Sequence, residues 1–244
     1  MSARPYANQL RHVLGDLAGR VEHISHPLLE VRPENRTLLL IVTADRGLCG
    51  GFNSNLIKAA QSFFREHTGS EVQIYAAGRK GRDFFRRRGG RIVGEYTNFF
   101  SKLDVAHARD ISQQVTEMYS KQEVDAVYII YNEFKSVIQQ RIVSEKLLPI
   151  GTGDTADTTR VDYIFEQPPQ DIFNRLLPRY VEIEIFRALL ESAAAEHGAR
   201  MAAMDTASRN AGEMIDSLTL NMNRVRQAAI TREIIEVVSG AGAQ

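Results

Sequence analysis

From residue 171 to residue 238 the chain contains one proline, Pro178, and almost everything else is compatible with a helix. Inside that stretch Leu190, Ala194, His197, Met201, Met204, Ser208, Ala211, Ile215, Leu218, Met222, Val225 and Ala229 follow one another in steps of four, three, four, three. A seam of small and apolar residues kept up over so many heptads predicts a long coiled-coil helix. At about 1.5 Å per residue that helix measures roughly 90 to 100 Å. An α/β body of about 130 residues has a radius of gyration near 14 Å, so most of the helix must project beyond it. The only other long helical pattern covers residues 3–25, with Tyr6, Leu10, Val13, Leu14, Leu17, Val21 and Ile24 at helical spacing. It can line about 35 Å of the seam. Roughly 60 Å of apolar stripe then requires another chain or a further helix, because such a stripe does not stay in water unpartnered.

Upstream of the helix the period changes. RTLLLIVT, from Arg36 to Thr43, is an unbroken apolar run of the kind that forms a strand buried on both faces, usually a parallel one. A glycine-rich turn, DRGLCGGFN, and a helix over 54–66 follow. The unit then repeats: strand 72–77, helix 80–88, strand 91–96, helix 104–121, strand 124–132. This alternation predicts an α/β, Rossmann-like, mostly parallel sheet with helices on its faces. A last strand over 137–148 follows too closely for a helical crossover and is expected as an antiparallel edge.

Charge and composition exclude several classes. Thirty basic residues balance thirty acidic ones, which argues against a surface built to hold nucleic acid over a large area. The single cysteine, Cys49, leaves no internal disulfide and no cysteine-based zinc site, and favours a reducing compartment. No apolar run approaches the 18 to 20 or so residues of a membrane span, so no direct span is expected.

Three motifs carry chemistry in principle. TADRGLCGGFNSN lies between a buried strand and a helix, where amides and the helix dipole can hold a phosphate. It lacks G-x-x-x-x-G-K-[ST] and does not fit G-x-G-x-x-G, so Asp45, Arg46, Gly47, Gly50 and Gly51 read as a structural turn. Cys49 has no evident base beside it in sequence and reads as a small buried residue. RKGRDFFRRRGGR gathers Arg79, Lys80, Arg82, Arg86, Arg87, Arg88 and Arg91 around Phe84 and Phe85. It reads as a solvated helix end over two rings packed on the sheet, with nucleic-acid binding as the competing reading. The histidines show no metal-ligand spacing. Between Leu218 and Thr231 the only charged residues are Arg224 and Arg226, which suits an apolar sleeve made by other subunits with isolated specific contacts.

TADRGLCGGFNSNL behind a buried strand and RVRQAAITREIIEVVSGAGA at the end of the chain resemble the paired signatures of the gamma subunits of F-type ATP synthases. The resemblance extends through VDYIFEQPPQDIFNRLLPRYVE and HGARMAAM to essentially the whole chain. It implies a central rotor shaft, which couples rotation of the membrane c ring to the conformational cycle of the beta catalytic sites for ATP synthesis from ADP and phosphate. It implies an antiparallel two-helix coiled coil in which the N-terminal helix is truncated at its start. The expected units are then 1–30, a remnant of that helix, 36–165, the α/β body, and 170–244, the C-terminal helix. The implied partners are the alpha and beta subunits of the catalytic hexamer, the epsilon subunit and the c-subunit ring. The implied place is peripheral, on the cytoplasmic face of the bacterial plasma membrane. Arg226 and Gln227 match the family's polar pair that meets loops of the surrounding subunits, and Thr231 and Glu233 fall in the same region. No catalytic residue, cofactor, metal or nucleic acid is expected. From the residues alone, a Rossmann-like nucleotide-binding enzyme stays as the alternative, resting on the strand, glycine turn and helix at 38–66.

Overall fold

The computed structural model describes residues 9, 26–137, 139–151 and 168–241. Residue 9 apart, the helix expected over 3–25 lies outside the described residues, as does the loop segment 152–167.

β1 (Arg36–Val42) is the centre of the sheet. Its apolar run is unbroken because both faces are covered: Leu38, Leu40 and Val42 enter one core, Leu39 and Ile41 the other. β1 pairs in parallel with β2 (Glu71–Ala77) and with β4 (Ala126–Phe134). β2 pairs in parallel with β3 (Ile92–Tyr96), and β4 runs antiparallel to β5 (Gln140–Leu148). The order is β3-β2-β1-β4-β5, with the antiparallel strand at an edge as its short connection requires.

α1 (Phe52–Glu66) and α2 (Arg79–Arg87) cover the Leu39 face, and α3 (Val105–Ser120) covers the Leu38 face. Right-handed crossovers running first one way along the sheet and then back place helices on opposite faces. α1 does this with Phe52, Leu56, Ala60 and Phe63, which recur at helical spacing and are all buried. α3 begins where Asp104 accepts the Ala106 amide while His107 Nδ1 accepts the Asp104 amide, a reciprocal cap. Gly78 turns the chain from β2 into α2 at φ +107°, and a Cβ there would lie 1.9 Å from the Thr43 carbonyl oxygen. Only glycine fits that crossing.

α4 (Pro169–Ala241) is one helix of 73 residues, roughly 110 Å long, continuous through Pro178. Its first part packs beside α3: Phe173, Leu177, Val181, Ile185, Ala188 and Leu189 are buried in the same core as Ile111, Val115 and Tyr131. Each large side chain buried there contributes about 1.5–3 kcal/mol. Arg187 fastens the flank, pairing with Glu184 and with Glu145 of β5 (2.6 and 2.8 Å). From Met201 to Ala241 nearly every residue is exposed.

The heptad seam does not face the body. Ala194 and His197 are exposed, whereas Ala188, Ser192 and Ala195 are buried. At roughly 100° per residue, seam and seat lie about 180° apart on the helix. Over 188–199 the body therefore holds α4 by its back and leaves Ala194 and His197 of the seam exposed.

Candidate functional site

The projecting half of α4 exposes Met201, Met214, Ile215, Leu218, Leu220, Met222, Val225, Ile230, Ile234, Ile235, Val237 and Val238, most of them more than half exposed. Some of these lie on the seam, but Leu220, Ile234, Ile235 and Val237 do not. The apolar side chains ring the helix toward its tip. A stripe would suit one partner helix, whereas apolar residues on all sides belong to a helix enclosed all round. Arg226, Gln227, Thr231 and Glu233 are all exposed on this part. Helical geometry sets Arg226 and Glu233 within about 20° of each other beside the seam. Gln227 and Thr231 turn to the far side. The four thus address different directions around the helix over about two turns.

The turn after β1 closes on itself and on α4. Asp45 accepts the Arg79 amide through Oδ1 (3.1 Å) and the Phe100 amide through Oδ2 (3.4 Å). Asn53 Oδ1 accepts the Ala44 amide, and its Nδ2 reaches the Arg46 carbonyl and Cys49 Sγ. Gly50 has φ +54°, and Gly51 stands at the start of α1 with no room to spare beside Asn55. Arg200 of α4 donates to the Gly47 carbonyl (3.2 Å) and to the buried Glu196 (2.5 Å). Asp45, Arg46, Phe100, Glu196, His197 and Arg200 line a cleft of about 230 Å³ between turn and helix. Leu48 projects from the turn, exposed and at φ +61°. Burial pushes the Cys49 thiol up, away from the thiolate a nucleophile needs.

The basic motif is largely spoken for. Arg82 pairs with Asp83 and Glu95, Arg86 with Glu95, and Arg91 with Glu71. Arg79 donates to Asn98, and Arg88 lies over the Phe84 ring at 3.9 Å. Phe85 is buried in the α1 core with Phe84 packed at its rim. Apart from Asp83 and the Phe84 ring, the partners come from β2, β3 and the loop at Asn98, which the linear motif does not contain.

In a doubly wound sheet, ligands bind in the crevice at the carboxyl ends of the strands where the order reverses. Here that point lies between β1 and β4, and α4 occupies it. The Asn132 amide donates to Ser192 Oγ, and the Phe134 amide to Glu191 Oε2. Ala195 packs with Ile41, Ala44 and Ile130. The crevice on which the nucleotide-binding alternative depends is filled by the protein's own helix. Sequence reasoning missed Glu191 and Ser192; the one available signal was a polar pair among the small residues Ala188, Ala195 and Ala199.

Residues 1–243 match a family described as ATP synthase. The chain is 52% identical over 247 residues to the ATP synthase gamma chain of Solibacter usitatus, covering 100% of this chain and 86% of the relative. It is 47% identical to that of Pelotomaculum thermopropionicum, again covering 100% and 86%. Among solved structures it resembles a chain of the Euglena gracilis mitochondrial ATP synthase in rotational state 3, with TM-score 0.66 and 15% identity over 99% of this chain and 91% of that one. It also resembles a chain from the central stalk and c-ring structure of the Tetrahymena thermophila enzyme, with TM-score 0.61 and 23% identity over 85% and 98%.

Proposed function

The chain belongs to the gamma-chain family of the ATP synthases, and on that premise we propose that it is the central rotor shaft, turning inside a hexamer of alternating alpha and beta subunits. The observation that carries this reading is the projecting half of α4, apolar around its circumference and bare of cover. A helix of that kind is stable only when enclosed. Its asymmetric surface, turning in a sleeve, shifts each beta site among its conformations by contacting one state better than another. The c ring drives it from below for synthesis of ATP from ADP and phosphate, with the α/β body beside the epsilon subunit and the ring.

In this reading the chain performs no bond chemistry. The filled crevice and the buried Cys49 thiol, whose pKa burial raises, support that. Arg226, Gln227, Thr231 and Glu233 are the polar contacts to the sleeve. Asp45, Arg46, Gly47, Gly50 and Gly51 shape the turn that braces α4 where it leaves the body. Among the described residues no helix is long and apolar enough to cross a membrane. In the rotor reading the subunit is a peripheral part of a membrane-bound complex, on the cytoplasmic face of the bacterial plasma membrane.

The test is assembly. Mixed with alpha and beta subunits, the full chain should enter a complex, and amides over 201–241 should become strongly protected from hydrogen exchange while those over 173–189 change little. A chain that stays outside the complex would remove the reading.

A further inference from the structure

The last residues that β1 and β4 pair are Ile41 and Ile130, yet β4 runs on to Phe134. Beyond that pairing the amides of Asn132 and Phe134 turn to α4. Asn132 N–H donates to Ser192 Oγ at 3.3 Å, and Phe134 N–H donates to Glu191 Oε2 at 2.9 Å. Two helix side chains stand where the carbonyls of a neighbouring strand would stand. From β5, Gln140 Nε2 donates to the Ala195 carbonyl at 2.9 Å. Ser192 and Glu191 are both buried, at 0% and 8% exposure.

Further polar links to α4 lie on either side of these bonds, at Arg187–Glu145 and Arg200–Gly47. Ala188, Ala195 and Ala199 form the rest of the seat at this level. Packing of methyl groups is nearly indifferent to direction, whereas a hydrogen bond weakens steeply once it is misaligned. Turning α4 by one residue position, roughly 100°, would carry both acceptors away from the two amides.

We propose that Glu191 and Ser192 are positioning residues that key α4 to the sheet, fixing its rotational setting and passing torque between the body and the projecting half. This rests on the rotor reading. Without the key the seat still buries the helix, but the helix can turn or slip under load.

The experiment uses the complete ATP synthase in vesicles, with ATP hydrolysis and ATP-driven proton pumping measured on the same preparation. In the double variant Glu191→Ala with Ser192→Ala, pumping per ATP hydrolysed should fall about five-fold or more, with hydrolysis changed less than about two-fold. Glu191→Gln keeps an oxygen that accepts the Phe134 amide and should restore the ratio, as should Ser192→Thr. If the double variant fails to fold, Ser192→Ala alone should lower the ratio about two-fold. A ratio equal to that of the unaltered protein in all variants overturns the key, as does a fall that Glu191→Gln shares. Should the unaltered chain not assemble or couple at all, the rotor reading itself fails and the key with it. Unaltered coupling beside indifferent variants removes the key alone.

Discussion

The first thirty or so residues of α4 and the last forty are one helix with opposite surroundings. In the gripped part Phe173, Val181, Ile185 and Leu189 are fully or nearly fully buried. In the bare part Leu218 and Leu220 are 61% and 70% exposed. Both parts are rich in apolar residues, so composition alone does not separate them. The difference lies in placement. The gripped part is covered on every side over 180–185 and along its back over 188–199, so its cover is already in place. The bare part is apolar around its girth and needs a collar. An apolar period reports that a face will be covered, and the number of faces reports by how many neighbours.

The sharpest way to break this contrast is to truncate one large side chain in each half. Phe173→Ala should cost the isolated chain about 3–5 kcal/mol by denaturant unfolding. Leu218→Ala should change it by no more than about 0.5 kcal/mol. Comparable losses would mean that the bare half is covered in solution.

Next in size is the polar contact proposed at the tip. Arg226→Ala or Gln227→Ala should weaken binding to the alpha and beta subunits by about five-fold or more, the loss typical of an interface anchor. The melting temperature of the isolated chain should not move. A shift in melting with unchanged binding would place these residues in the fold instead.

A smaller effect separates two glycines. At Gly212 nothing lies within 4 Å of an added Cβ, whereas at Gly198 that atom would stand 3.4 Å from Val137 Cα and from the Phe134 ring. Gly212→Ala should therefore stabilise the bare half by up to about 1 kcal/mol, read as slower amide exchange nearby. Gly198→Ala should gain less, because the β4–β5 connection must give.

The smallest is a pH effect confined to the body. The Arg36 guanidinium and amide, both hydrogen-bonded to Asp125, hold its carboxyl below the usual range despite burial. A depressed folded-state pKa gives stability that is present above the unfolded value of about 3.9 and lost as pH falls through the folded one. Asp125→Asn should flatten the acid limb of the body's unfolding curve below about pH 4. Exchange in the bare half, read at one pH, should be the same in both proteins.

The sheet was legible because burial on two faces leaves an unbroken apolar run, as at β1, and because strand and helix patterns alternate along the chain. The antiparallel edge followed from a connection too short for a crossover. The seat was not legible. Its residues, Ala188, Ser192, Ala195 and Ala199, are small, and the larger seam opposite dominates the periodicity. Glu191 and Ser192 acquire their meaning from amides in β4, sixty or so residues earlier, which no local pattern announces. The basic motif was hard to read for the same reason: Glu71 and Glu95 stand on other strands. The tip residues sit on a helix whose direction was predictable, but Arg226 and Thr231 face different sides of it, which their spacing shows only once the helix is known to be continuous.

The crevice filled by α4 also decides what can govern this protein. A metabolite seeking that berth would have to evict a buried helix held by Ser192 and Glu191, so the ordinary route for small-molecule control of a doubly wound domain is shut. On the rotor reading proposed above, what reaches the body is push and twist through the rod lodged in its usual ligand seat.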